Sequence, residues 1–210
     1  MKNITFPLSI FIVATLFGCG EKKSGNTEVA GEKQIAATNK IAGPVVIQQQ
    51  SEPDTLKGSP EAEATGTIGD TEFRISYHSP AVRGRIIWGG LVPFDKVWVA
   101  GAHMATVVEF NHDILIGNKS IPSGKYALFT IPGKERWTVI LNKNWQQHLS
   151  DEYDEKEDVA RLQTEPETET TNQERLRYVI EKETETEGEI VVYWEKLEVS
   201  LPFKLAGRSK

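Results

Sequence analysis

Short apolar stretches with a period of two, cut apart by Gly and Pro, fill this chain from about residue 65 onward. Phe73, Ile75 and Tyr77 alternate with Arg74 and Ser76, the pattern of a strand with one buried face. Arg85 to Trp88 and Lys96 to Ala100 follow, then the β-branched run from Ala105 to Phe110, and then Ile114 to Ile116 before the turn Gly117-Asn118. Beyond Pro122-Ser123-Gly124 come Tyr126 to Ile131, closed by Pro132-Gly133, and a run beginning at Trp137, Val139 and Leu141. Leu176, Tyr178 and Ile180 alternate near the end, followed by Ile190 to Trp194 and Leu197 to Phe203. One segment has helical spacing, Asn144 to Lys156, where Trp145 and Leu149 stand four apart. The acidic stretch from Glu165 to Thr171 reads as a solvent-facing loop, and Lys182 to Gly188 as either a loop or the end of a long hairpin. So many short strands predict an all-β domain over residues 65–210, a mostly antiparallel β-sandwich or barrel-like fold.

The N-terminus has a different character. Lys2 is followed by an uncharged run from Ile4 to Phe17 that ends in Gly18-Cys19, too short for a membrane-spanning helix and patterned as a secretory signal. Leu16-Phe17-Gly18-Cys19 resembles the lipobox of bacterial lipoproteins, which implies cleavage before Cys19 and acylation of its thiol. Cys19 is the sole cysteine, so no intramolecular disulfide or thiolate cluster competes for it. Residues 1–18 are therefore expected to be a signal peptide, and residues 19–64 a lipidated cysteine with a disordered tether rich in Glu, Lys, Gln, Ser and Gly. The expected location is the cell envelope, lipid-anchored at the outer membrane, with the membrane as first partner.

The chain carries a formal charge of −6, and loss of Lys2 with the signal takes it to −7. Its basic residues are scattered among glutamates, which excludes the clustered positive face that a nucleic-acid partner needs.

Within the strand-rich region, Ser79-Pro80, Arg83-Gly84-Arg85, Leu91-Val92-Pro93-Phe94, Val97-Trp98, Gly101-Ala102 and Ala105-Thr106 stand in that order. They are continued by Ile121 to Tyr126, Leu128 to Gly133 and Trp137 to Ile140. This ordered set resembles the bacterial domain of unknown function 2911 over about residues 70 to 205. The resemblance implies a β-rich envelope domain and carries no activity. Members often read Trp-Arg-x-Gly-Ala-Asn-Glu-Ala-Thr where this chain has Trp98-Val99-Ala100-Gly101-Ala102-His103-Met104-Ala105-Thr106, so any role of that arginine or glutamate is lost here.

No nucleophile elbow, phosphate loop, dinucleotide glycine set or His-Glu-x-x-His zinc motif is present. Ser120 and Ser123 beside Lys119 and Lys125 read as turn residues. The four histidines show no zinc-ligand spacing, so a metal or catalytic site would have to be assembled across strands, with His78 and His103 as its candidates. No cofactor is indicated. Arg83 and Arg85, two apart, would face one side of an extended strand and converge either on one anion, with Trp98, His103 and Thr106 nearby, or on the chain's own Glu and Asp side chains in an internal salt bridge. Two functions remain: a non-catalytic envelope module that binds a small molecule, a glycan or an envelope protein through a groove lined by Trp and Tyr, and a hydrolase or metal-dependent enzyme built around His78, Arg85 and His103.

Overall fold

The computed structural model describes residues 43–49 and 54–207, all within one unit, Ile41–Lys210. The signal segment, Cys19 and most of the expected tether lie outside the described residues. Among the described residues, ten strands build two antiparallel sheets. β1 (Glu61–Ile68), β2 (Thr71–His78), β3 (Thr106–Phe110), β6 (Gly124–Ile131), β7 (Trp137–Asn142) and β8 (Asp158–Thr164) form a six-stranded sheet in the order β1-β2-β3-β6-β7-β8. β4 (Ile114–Ile116), β5 (Lys119–Ile121), β9 (Glu167–Lys182) and β10 (Glu187–Leu205) form a four-stranded sheet in the order β5-β4-β10-β9.

The period-two residues supply the filling between the sheets. Phe73 meets Phe203 with ring centres 4.5 Å apart, and Tyr77 meets Tyr178 edge-on at 4.9 Å, each pair joining one sheet to the other. Val108, Leu128 and Leu141 pack into the same core as Ile190, Val199 and Leu201. The sandwich expected from the sequence is therefore present, and among the described residues no helix is long and apolar enough to cross a membrane.

Several local expectations are overturned. Asn144 to Lys156 is no helix: Leu149 takes a left-handed φ of 49°, and the one helical turn is a 3-10 turn at Glu155–Glu157. Short polar side chains bond the backbone there instead, Asn142 accepting from the Asn144 N–H at 2.9 Å and Asp154 from the Lys156 N–H at 3.0 Å. Arg85 to Trp88 is a chain of turns, in which the Leu91 N–H donates to the Ile86 carbonyl at 3.0 Å. Lys96 to Ala100 makes only an isolated bridge, Trp98 with Thr130. Glu167 to Thr171 belongs to β9 and not to a loop, and the two last strand candidates are one strand, β10, irregular around Glu195. Lys182 to Gly188 is the tip of the β9–β10 hairpin.

The folded region also starts earlier than residue 65. β1 begins at Glu61, and the Val45 N–H donates to the Glu61 carbonyl at 2.9 Å while the Glu63 N–H donates to Val45. Ile47 is buried in the main core. Arg175, with no solvent exposure, pairs with Asp54 at 2.7 Å and donates to the carbonyls of Leu56, Gly58 and Ser79. The stretch read as tether is thus strapped to the sandwich from Gly43 to Gln49 and again from Asp54.

Candidate functional site

The 27-residue connection between β2 and β3, residues 79–105, carries most of the residues singled out by sequence. Its backbone is held in a strained course, with left-handed φ at Arg83, Asp95, Ala100 and His103. What offsets the cost at Ala100 is explicit: its carbonyl accepts from the Thr106 hydroxyl at 3.1 Å and from the Tyr178 hydroxyl at 2.7 Å, both buried. Gly101 is required beside it, since a Cβ there would lie 2.8 Å from the Thr106 oxygen. Trp98 donates its indole N–H to the Gly101 carbonyl at 3.2 Å. Trp98, Gly101 and Thr106 are therefore fasteners of this connection, and Thr106 has no exposed surface to offer a ligand.

Arg83 and Arg85 do not share a strand face. Arg83 and Gly84 both take left-handed φ, 49° and 65°, which destroys the period-two geometry that would aim both guanidiniums at one anion. The Arg83 guanidinium donates to the Leu56 carbonyl at 3.2 Å, and that of Arg85 to the carbonyls of Val82 and Ala81. His78 and His103 do come together, ring centres 5.1 Å apart and edge to face. Burial and the neighbouring His103 lower the pKa of His78, while Glu61 pulls the other way. No hydrogen bond joins His78 or His103 to a carboxylate, and among the described residues no group of three or more His, Cys, Asp or Glu is placed to hold a metal ion.

Four of the five tryptophans form one cluster, in which Trp137 and Trp194 are buried and Trp88 and Trp98 half-buried. Trp88 and Trp98 of the connection meet Trp137 of β7 and Trp194 of β10, with Trp88 4.7 Å from Trp137 and Trp98 stacked on Trp194 at 5.7 Å. This cluster ties the connection to both sheets. The fifth, Trp145, lies on the opposite, outer side of the six-stranded sheet. There Val99, Ala105, Ala127, Phe129 and Ile140 form a second, smaller core, capped by the loop that follows β7 through Trp145 and Tyr153. Tyr153 packs edge-on to Phe129 at 5.3 Å and donates to Asp158 at 2.8 Å, and Asn142 also reaches Asp158 at 2.7 Å, which pins the loop down.

The loop covers only half of that face. The uncovered half, over β1, β2 and β3, is a groove of about 790 Å³. Thr65, Thr67, Arg74, Ser76 and Glu109 line it, with Lys125 and Trp145 on the side of the loop. Its two cations are paired, Arg74 with Glu63 at 2.7 Å and Lys125 with Glu109 at 3.4 Å, and a further exposed carboxylate, Glu72, also lines it. Lys125 also stands over the Trp145 ring, 5.4 Å from its centre. None of these residues was singled out from the sequence. The available signal was the polar half of the alternation in β1, β2 and β3, which marks a solvent face but not which part of it stays open.

A smaller cavity, about 320 Å³, lies on the four-stranded sheet beside Glu169, Arg177, Glu181 and Tyr193. Arg177 sits over the Tyr193 ring at 4.5 Å, and the Tyr193 hydroxyl donates to Glu181 at 2.7 Å. Nearby, burial, a hydrogen bond with Glu169 and the charges of Glu169, Glu181 and Glu167 push the Glu198 carboxyl up to about 7. Its folded pKa thus exceeds its unfolded one, so its contribution to stability is full below about pH 4.5 and is lost as pH rises through about 7. Glu198→Gln is expected to raise the melting temperature at pH 8 by the equivalent of roughly 1 kcal/mol, allowing for solvent screening, and to change it little at pH 4.5. The same shift at both pH values would show that this carboxyl does not carry the effect.

Compared with known proteins, residues 59–203 match the family model described as Protein of unknown function (DUF2911). No curated protein and no solved structure matches the chain.

Proposed function

The chain belongs to the DUF2911 family, and from that premise we propose that it is a non-catalytic binding module of the cell envelope, held to the membrane through a lipidated Cys19, with its ligand seat in the groove over β1, β2 and β3. The observation that carries this reading is the groove itself. Its volume is in the range of small-molecule sites, its floor is hydrogen-bonded sheet and needs no ordering on binding, and an aromatic ring stands on its rim. Both cations on it, Arg74 and Lys125, are held in ion pairs, and no histidine lines it, which suits recognition better than chemistry.

The alternative, a hydrolase or metal-dependent enzyme around His78, Arg85 and His103, has the two imidazoles together but not the rest. Arg85 is spent on main-chain carbonyls, and among the described residues no group of three or more His, Cys, Asp or Glu is placed to hold a metal ion.

The test is a small-molecule fragment screen read by NMR on the full chain. Compounds that bind are expected to move the Trp145 indole signal and the amides of Thr65, Arg74 and Glu109. The double variant His78→Ala, His103→Ala is expected to leave that response intact. Fragments that gather instead at the two histidines, and are lost with them, would sink the groove reading. The anchor is tested separately, by the mass of the N-terminal peptide after expression in a bacterial envelope: a diacylated Cys19 is expected, and an unprocessed Met1 would exclude it.

A further inference from the structure

Resting on the binding-module reading, we propose that the ligand of the groove is a neutral oligosaccharide chain laid across β1, β2 and β3, with Trp145 as its stacking platform.

The register sets the direction. Thr65 is the cross-strand partner of Arg74, Arg74 of Glu109 and Glu109 of Lys125, so these four side chains form one row perpendicular to the strands. Four adjacent strands span about 14 Å, and Trp145 extends the row beyond Lys125. The row suits an extended, linear ligand and is longer than a single small ring requires.

Charge decides the class. Arg74 is already matched by Glu63 and Lys125 by Glu109, so an incoming phosphate or carboxylate would have to displace a carboxylate from each cation and would meet the negative charge left behind. A cationic ligand would find Glu72 at one side but would lie along a row that holds the two cations Arg74 and Lys125, which repel it. Neighbouring hydroxyls of a sugar need neither displacement, because each hydroxyl donates and accepts, and the paired Arg74 and Glu63 offer donors and acceptors side by side. The exposed hydroxyls of Thr65 and Thr67 extend the same chemistry along the floor.

The aromatic partner is equally selective. A sugar ring presents an apolar face of C–H groups that stacks on an indole. Lys125, which stands over the Trp145 ring, has to swing aside toward Glu109 for the sugar to stack there, and Trp145 is the tryptophan left outside the interior cluster. Its position is fixed by packing against the small core of Phe129 and Ile140, so the platform is in place before any ligand arrives.

The experiment titrates the purified full chain with neutral hexasaccharides of glucose, mannose, xylose and N-acetylglucosamine, with hexagalacturonate as the charged comparator, following by NMR the Trp145 indole signal and, in every variant, the backbone amides of Arg74 and Glu109. At least one neutral chain is expected to bind. Trp145→Ala should weaken it about tenfold or more. Because Trp145 also caps the small core, Thr65→Arg serves as the second variant: it adds bulk and charge to the exposed floor, far from that core, and should abolish binding with unchanged stability. Binding of neutral chains that survives Thr65→Arg places the sugar elsewhere and overturns the proposal. Response of the groove to fragments or to hexagalacturonate, with none to any neutral chain, overturns the neutral-oligosaccharide proposal and leaves the binding-module reading standing. A groove that responds to no compound at all ends both.

Discussion

Arg175→Met is expected to destabilise the protein by about 3–5 kcal/mol, measured as the loss of unfolding free energy in urea. Arg175 has no solvent exposure and its partner Asp54 is 8% exposed, so removing the guanidinium leaves a buried carboxylate without its counter-charge. It also strips donors from the carbonyls of Leu56, Gly58 and Ser79. Asp54→Asn, which keeps an acceptor for the guanidinium, should cost less, about 1.5–3 kcal/mol, as for hydrogen bonds to charged groups. Burial alone would raise the Asp54 carboxyl. The Arg175 hydrogen bond, the Leu56 N–H and the charges of Arg175 and Arg83 outweigh it and hold the carboxyl below its ordinary value. With its folded pKa depressed, the stability it contributes is present above pH 3.8 and is lost as pH falls further through the folded value, so acid should release the strap before the sheets melt. Unfolding free energies of wild type and Arg175→Met within about 1 kcal/mol would show that the strap is held by its backbone pairing at Val45 and not by this cluster.

The cluster also shows why part of the fold was invisible in the sequence. Arg175 sits in Gln173-Glu174-Arg175, a polar triplet that reads as surface, and its partner Asp54 is 121 positions away in a stretch whose composition reads as tether. A local pattern carries no trace of such a pairing. The alternation of Phe73, Ile75 and Tyr77, or of Tyr126 and Leu128, is legible because burial on one face of a strand is a local rule. Glu167 to Thr171 defeats the same rule because this first part of β9 has no deeply buried face: the residues there are exposed or half-buried, and the strand persists through pairing with β10.

The candidate site divides in the same way. His78 and His103 were singled out and do meet, because the connection between β2 and β3 folds back on the end of β2 where its last residue stands. Arg83 and Arg85 fail for one local reason, two successive left-handed residues, for which Gly84 was the only visible warning. The groove was missed as a whole. Its identity depends on which half of an outer sheet face the loop after β7 covers, and that loop reads as a helix because Trp145 and Leu149 stand four apart. The four-residue spacing has another cause: Trp145 caps the small core, while Leu149 is partly exposed and donates its N–H to the His103 carbonyl at 2.7 Å.

Trp194→Ala is the second large effect expected, about 3–5 kcal/mol. Trp194 is 1% exposed on β10, and its ring is the surface on which Trp98 stacks and against whose edge Trp88 packs at 5.7 Å. Truncation would open a cavity between the two sheets, beneath a connection already holding four non-glycine residues in left-handed conformations. The surroundings cannot close it cheaply, because Trp137 and Trp88 are locked edge to face at 4.7 Å and the backbone around them is fixed by the Trp98–Thr130 bridge. Trp194→Phe separates packing from polarity. The indole N–H of Trp194 is buried without a hydrogen-bond partner, so phenylalanine removes an unsatisfied donor while keeping most of the ring. The phenylalanine variant should therefore cost clearly less than the lost volume alone would suggest, and it should keep the near-ultraviolet circular dichroism of the remaining tryptophans. The groove lies on the far side of the six-stranded sheet, so its ligand response should persist in Trp194→Phe. A cost below about 1 kcal/mol for the alanine variant would mean that the connection is anchored by Ala100, Thr106 and Tyr178 alone, and that the tryptophans merely fill the space beneath it.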